Sequence, residues 1–309
     1  MNGHTTTRRG FLRYTAGVAG VLMAPAAPAE AAGPAQTAKK IPTAVDQVTL
    51  GKTGLKLSRL GIGCGSNSGN VQRALGQDGF TRLLRYAFDQ GVTYIDTAES
   101  YRTHEFIREA IKGIPREKLF IQTKMSARGD KPLETIDRFR KELGVDYIDS
   151  LLTHCVVTGN WDQERKRFMD AFEEAKQKGI IRSHGVSCHS LPALARSASL
   201  AWCEVHLVRL NPQGAHMDTP AETWNAPSDV SHVPAVIEQV GVMRQKGRGI
   251  IGMKLSGNGD FTKFEDRKRA VHFAMKCGLL DAAVIGFKST DEIDEAIALM
   301  NEALAEVAA

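Results

Sequence analysis

Beyond its first forty-odd residues the chain alternates between short apolar runs and longer segments of mixed polarity. The apolar runs are 59–64, 93–97, 119–124, 147–154, 181–188, 205–210, 249–254 and 282–286. Each is too short for an ordinary helix and apolar enough to be buried on both faces, the pattern of strands in a parallel sheet. Between them, segments 80–90, 133–143, 165–178, 234–246 and 267–277 carry apolar residues at helical spacing. Several end at a glycine, Gly91, Gly144, Gly179, Gly247 or Gly278, which readily takes the left-handed conformation past a helix end. Eight strand candidates, most followed by a helix candidate, predict an α/β fold, and eight is the number that closes a (β/α)8 TIM barrel. A doubly wound open sheet is the alternative, but its glycine-rich first turn is missing: Gly61-Ile62-Gly63-Cys64-Gly65-Ser66 lacks the third glycine of that fingerprint. Ahead of the first run, alternation on both sides of Gly51-Lys52-Thr53-Gly54 predicts a hairpin from residue 48. Its Gly-Lys-Thr is not a phosphate loop, because Asp46 stands where that motif needs its first glycine.

Composition narrows the class. With 42% apolar and 24% charged residues over 309 positions, the chain can bury a large core and is not a disordered, collagenous or disulfide-stapled protein. The net charge of +5 is not spread evenly: Arg8, Arg9 and Arg13 against Glu30 put +2 in the first 31 residues and leave +3 for the rest. That is too little for a nucleic-acid face. The five cysteines, Cys64, Cys155, Cys188, Cys203 and Cys277, form no C-x-x-C pair and match no zinc spacing, so free buried thiols are expected and no metal is assigned. A site built from His154, Cys155, Cys188 and His189 is the one metal alternative.

The amino terminus reads as an address. Thr7-Arg8-Arg9-Gly10-Phe11-Leu12-Arg13 precedes a weakly apolar run and a small-residue stretch containing A-x-A sites. This resembles a twin-arginine signal, which implies export through the Tat machinery, cleavage near residues 29–32 and a periplasmic or extracytoplasmic location. The run is short, rich in alanine and glycine and broken by Pro25 and Pro28, so a stable membrane anchor is not expected. The expected organisation is a signal at 1–31, a tether at 32–47 and one barrel domain at 48–309.

In a barrel the chemistry sits at the carboxyl ends of the strands. The second run ends in Asp96-Thr97-Ala98-Glu99-Ser100-Tyr101, the third in Thr123-Lys124 and the fourth in Leu151-Leu152-Thr153-His154. An acid, a phenol, an amine and an imidazole at consecutive strand ends would converge near the axis, a constellation less easily structural than any one member.

Here the chain resembles the aldo/keto reductase family, through D-T-A-x-x-Y at 96–101, the T-K pair, the L-L-T-H strand end, Lys178-Gly179-Ile180-Ile181-Arg182-Ser183-His184-Gly185-Val186-Ser187 and the opening hairpin. The resemblance implies a hairpin closing the bottom of the barrel and NADP(H) or NAD(H) extended across the other end. It implies Tyr101 as general acid toward a carbonyl, Lys124 lowering the phenol's pKa, Asp96 holding Lys124, and His154 orienting the carbonyl oxygen.

Nucleotide contacts are expected at Ser187, Cys188, Asn211, Lys254, Lys288, Ser289 and Glu292. The sequence departs from the family at Cys188 for asparagine, Leu207 for glutamine, Gly252-Met253-Lys254-Leu255 where a stacking tyrosine is usual, and Ala296 for asparagine. Glu292 stands where a basic residue often grips a 2′-phosphate, and Ser289-x-x-Glu292 is also a capping box. The chain ends close behind its last helix, so the long loop after the sixth run, 211–233, is the expected substrate wall with His216 and Trp224. A second wall is expected from 156–164 with Trp161, and His189 is expected near the substrate. The expected partner is a small carbonyl or alcohol, and the alternative function is an exported nucleotide-binding subunit or redox sensor with little turnover.

Overall fold

The computed structural model describes residues 40–309; the signal read at 1–31 and the first half of the tether lie outside them. An antiparallel hairpin comes first, β1 (Gln47–Thr49) against β2 (Lys56–Ser58), with Val48 opposite Leu57. Eight parallel strands then close a barrel: β3 (Leu60–Gly63), β4 (Tyr94–Asp96), β5 (Phe120–Met125), β6 (Ile148–Val156), β7 (Ile181–Cys188), β8 (Val205–Arg209), β9 (Gly249–Met253) and β10 (Ala282–Gly286). Each pairs with the next, and β10 returns to β3 with Val284 opposite Gly61. Every apolar run of the sequence became one barrel strand, with ends moved by no more than two residues.

The long helices α2 (Gly76–Asp89), α4 (Pro132–Leu143), α6 (Lys166–Gln177), α8 (Val233–Gln245), α9 (Phe264–Lys276) and α10 (Thr290–Ala308) cover the barrel. Four shorter ones, α1 (Asn70–Ala74), α3 (His104–Ala110), α5 (Trp161–Glu164) and α7 (Leu191–Ser199), fill the connections. Their buried faces, such as Ile136, Phe139 and Leu143 of α4 and Phe168, Phe172 and Ala175 of α6, recur at three- and four-residue spacing and pack on the outward strand residues. Gly144 closes α4 at φ 67, donating to the carbonyls of Arg140 and Lys141.

Inside the barrel a second, smaller core forms. Leu50, Leu55 and Leu57 of the hairpin pack with Tyr94, Phe120, Leu152, Val205, Leu207, Ile251 and Ala282. Alternation along a strand sends one residue inward and the next outward, so the inward row that starts at these apolar residues continues upward to polar ones. Tyr94 leads to Asp96, Phe120 to Gln122 and Lys124, and Leu152 to His154. The hairpin thus seals the amino end with hydrocarbon while the same strands deliver ionisable groups to the carboxyl end. Leu207 belongs to the sealed apolar layer with Val205 and Ile251. Among the described residues no helix is long and apolar enough to cross a membrane.

Candidate active site

Lys124 is the centre of the carboxyl end. Its ammonium donates to Asp96 Oδ1 at 2.8 Å, to Asp96 Oδ2 at 2.7 Å and to the Thr97 carbonyl at 2.8 Å, and the side chain is 1% exposed. Gln122 adds a fourth tie, donating from Nε2 to Asp96 Oδ1 at 2.8 Å and to the Tyr94 hydroxyl at 2.9 Å. Burial works to lower the Lys124 pKa, but Asp96 and the Tyr101 phenol outweigh it and hold the ammonium charged, above its usual value. Such a buried pair is costly to desolvate and stands only because three acceptors meet three donors.

Tyr101 sits on the single helical turn that follows β4, and three anchors hold that turn. Arg138 donates to Glu99 Oε1 at 2.5 Å, the Ser126 amide donates to Glu99 Oε2 at 3.2 Å, and the Arg73 guanidinium donates to the Tyr101 carbonyl. Arg102, at φ 57, then reverses the chain into α3. The phenol ring lies 5.0 Å from the Lys124 ammonium. Gly65 makes room for it, because a Cβ there would collide with the ring. Lys124 pulls the phenol's pKa down, as the resemblance implies; burial pulls harder, and the net direction is up. Tyr101 is therefore a protonated donor at neutral pH.

His154 reaches the same point from β6. Pairing between β6 and β7 shifts between Thr153 and Val156, so three steps on β6 span two on β7, and Cys155 takes φ 55 at this bulge. The extra residue re-aims His154, whose Nε2 lies 3.4 Å from the Tyr101 hydroxyl. Burial, reinforced by Lys124 and Lys254, lowers its pKa to about 3, so the ring is neutral. His189 lies alongside, ring centroids 6.4 Å apart, and burial with Arg209 holds it neutral as well.

From Asp96 and Tyr101 a cleft of about 540 Å³ runs outward between the ends of β3, β9 and β10 and the start of α10. That is within the usual range for a small-molecule site. Gly63, Gly65 and Gly286 keep its floor free of side chains, and Met253, Lys254, Phe261, Phe287 and Lys288 are among its walls. Lys254, at φ 64, donates to Asn258 Oδ1 at 2.6 Å, and burial with the nearby Arg209 and Lys124 lowers its pKa to about 8. Ser187 is fully buried at the carboxyl end of β7 with no protein partner for its hydroxyl, an acceptor-donor left for a ligand amide. A glycine-floored cleft with a cation on its wall fits a nicotinamide nucleotide; the unpartnered Ser187 hydroxyl lies at the same end of the barrel but not on the cleft lining.

Some expected contacts are not brought to this cleft. Cys188 faces outward, one step past inward Ser187, and its thiol donates to Ser197 Oγ of α7 at 3.4 Å; strand alternation turns it from the nucleotide and from any metal site with His154. Trp161 is also misassigned. Helix α5 turns its indole inward, fully buried, onto Trp202 at 6.2 Å between centroids, so it is core and not a substrate wall. Asn211 is buried with its amide spent inside the protein, donating to the Ala215 and Lys254 carbonyls at 2.8 and 3.1 Å and accepting from the Ala215 amide at 3.0 Å. It ties the 211–233 loop to the end of β9.

On that loop, Trp224 is 64% exposed and its carbonyl accepts from Arg209 at 2.8 Å, while His216 Nε2 meets Asp260 at 3.0 Å, joining two loops. Ser289 and Glu292 form a cap: Ser289 Oγ accepts from the Glu292 amide at 3.4 Å, and Glu292 Oε2 accepts from the Lys288 amide at 2.8 Å. Sequence reasoning missed Gln122 and the Arg209–Asp218 pair, the latter buried at 3.5 Å with Asp218 pushed up to about 7 by burial. Gln122 could have been found, since it stands two residues before Lys124 on the same strand face. Asp218 could not, because only the fold brings its loop over β8.

Residues 59–308 match the aldo/keto reductase family model, and the chain belongs to that family. The family uses NADP(H) or NAD(H), and its members are oxidoreductases acting on carbonyls. Among curated relatives, the chain is 27% identical over 157 residues to the L-galactose dehydrogenase of Arabidopsis thaliana, covering 47% of this chain and 49% of that protein. It is 30% identical over 119 residues to the methylglyoxal reductase of Salmonella typhi, covering 37% and 44%. The chain spans about half the length, or less, of the curated relatives it matches. Solved structures agree in fold over more of the chain. An aldo-keto reductase from Pseudomonas aeruginosa superimposes with a TM-score of 0.65 at 21% identity, covering 85% of this chain and 97% of that one. The holo form of an aldo-keto reductase from Bacillus halodurans gives 0.63 at 18%, covering 85% and 96%.

Proposed function

We propose that this member of the aldo/keto reductase family moves hydride between a nicotinamide nucleotide and a small carbonyl or alcohol, with Tyr101 as the acid or base. The observation that carries the reading is the convergence at the inner end of the cleft: a protonated phenol, 5.0 Å from a charged ammonium and 3.4 Å from a neutral imidazole. The nucleotide, when bound, supplies or accepts the hydride. Ser187, Lys254 and Lys288 are the groups that would hold it, and the glycines of the cleft floor let it lie close to the strands.

The chain's own residues handle the proton. In the reducing direction the Tyr101 hydroxyl donates to the carbonyl oxygen, and the phenolate left behind faces the Lys124 ammonium, which lowers the cost of that charge. Asp96 keeps Lys124 charged throughout. Neutral His154 hydrogen-bonds the same substrate oxygen and fixes its position without competing for the proton, since its own basicity is suppressed. In the oxidising direction the proton returns to the phenolate.

The segment around Arg8 and Arg9 supports export by the twin-arginine route, with the nucleotide loaded before the folded protein crosses the membrane. Protein recovered from the periplasm should therefore carry bound nucleotide, and mixing the reduced form with a generic aldehyde should oxidise it in a single turnover. An empty protein that ignores nucleotide would end this reading. A second reading, a nucleotide-binding subunit with little turnover, is favoured by the Asn211 amide being spent within the loop. Bound reduced nucleotide that stays reduced in the presence of aldehyde would select it.

A further inference from the structure

The cleft that begins at Tyr101 ends between the loop after β9 and the first turns of α10, where Arg267, Lys288, Asp291, Glu292 and Glu295 line it. We infer that this end accepts an adenosine ribose with a free 2′-hydroxyl and disfavours one bearing a 2′-phosphate, so that the nucleotide is NAD(H). The inference rests on the cleft being the nicotinamide-nucleotide site and goes further by choosing between the two nucleotides.

Three carboxylates face two cations at this end; the arginine is already closed on one of them and the lysine has another beside it. Arg267 forms a two-pronged pair with Glu295, Nε to Oε1 at 2.5 Å and Nη2 to Oε2 at 2.8 Å, and its Nη1 donates to the Phe261 and Thr262 carbonyls at 3.2 and 2.7 Å. The planar fork that would grip a phosphate is thus closed on a carboxylate. Lys288 has its ammonium 3.7 Å from Glu292 Oε1. Two amides around the start of α10 are also engaged, that of Lys288 by Glu292 Oε2 and that of Glu292 by Ser289 Oγ.

A phosphomonoester brings about −1.5 to −2 charges at neutral pH. To bind here through the arginine it would have to displace Glu295 from the fork, and it would lie beside Glu292 and Asp291 in any case. Glu292 is half-buried, so its charge is screened by solvent less than that of exposed Asp291. A ribose diol makes the opposite demand. Its hydroxyls donate, and a carboxylate is an acceptor-only partner, the pairing by which acidic residues select an unphosphorylated ribose in other dinucleotide sites.

Titration of the purified full-length protein with NAD⁺ and with NADP⁺, followed by calorimetry, tests this by binding alone. NAD⁺ should bind at least about tenfold tighter, with the gap narrowing at high salt as the like-charge repulsion is screened. Glu292→Gln keeps an acceptor for the Lys288 amide, so the cap and the fold survive, and it should narrow the gap; Glu292→Arg should close or invert it. NADP⁺ binding as tightly as NAD⁺ to the unaltered protein, or a gap that neither variant moves, overturns the inference. Tighter NADP⁺ binding would leave the cleft's assignment standing, whereas binding of neither nucleotide would overturn both.

Discussion

At the amino end of the barrel, Leu50, Leu55 and Leu57 are pressed among Phe120, Val205 and Ile251, in a cluster whose side chains are hydrocarbon apart from the Tyr94 hydroxyl and the Met253 sulfur. At the carboxyl end, the same strands bury Asp96, Gln122, Lys124, Ser187 and Arg209. At the amino end that cluster carries no charge and is stabilised by apolar area, with the nearby carboxylates Asp149 and Asp281 paired to arginines outside it. The other end buries a full ion pair whose desolvation must be offset bond by bond. The difference teaches where each kind of substitution acts: at the amino end it changes stability alone, and at the carboxyl end it changes stability and chemistry together.

Lys124→Met is the sharpest way to break that contrast. It strands the buried Asp96 carboxylate, so unfolding free energy should fall by about 3–5 kcal/mol and turnover should vanish with it. Urea denaturation together with aldehyde reduction measures both; a stability loss under about 1 kcal/mol would show that the pair contributes little to the fold.

Tyr101→Phe separates the two consequences. The ring and its packing against Gly65 remain, so stability and nucleotide affinity should hold while turnover drops about 10²–10⁴-fold, the usual worth of a positioned proton donor. Unchanged turnover would remove Tyr101 as the acid.

The amino end should behave in the opposite way. Leu57→Ala is expected to cost about 2–5 kcal/mol of stability and to leave KM and kcat near their original values, as read by steady-state kinetics below the new melting point. A large fall in kcat would mean that the plug transmits strain to the mouth.

The smallest effect concerns pH. His154 titrates at about 3 in the folded protein, while an unfolded histidine titrates near 6.5. Between those values the unfolded chain binds a proton that the folded chain refuses. The stabilisation is complete above about pH 6.5 and declines as pH falls, by up to about 1.4 kcal/mol per unit for this one group. Comparing urea midpoints near pH 7 and near pH 5, His154→Gln should lose less stability than the unaltered protein. Asp218, raised to about 7, acts in the reverse sense over the same range, but it is present in both proteins and drops out of the comparison. Equal losses would place His154 in a charged, solvated state.

Much of this arrangement was legible in the residues. Eight apolar runs spaced by helical segments can bury their faces in few ways, and all eight became barrel strands. Asp96, Lys124 and His154 were readable because each ends an apolar run, which fixes both its height in the barrel and, through alternation, its side. Strand alternation also decides the residues next to them. Cys188 follows an inward serine and must point outward. Trp161 lies in a connection whose short helix could be oriented only by what it packs against, Trp202 and the α6 face.

The order of apolar and polar positions therefore determined the element types, their number and the identity of the groups at the strand ends, because these follow from local periodicity and backbone chemistry. Tertiary structure alone decided which of those groups meet. The phenol's net upward pKa, the pairing of Arg267 with Glu295 and the burial of Asp218 over β8 depend on desolvation and on contacts between residues distant in sequence. Those quantities belong to the folded surroundings of a side chain and not to its neighbours along the chain.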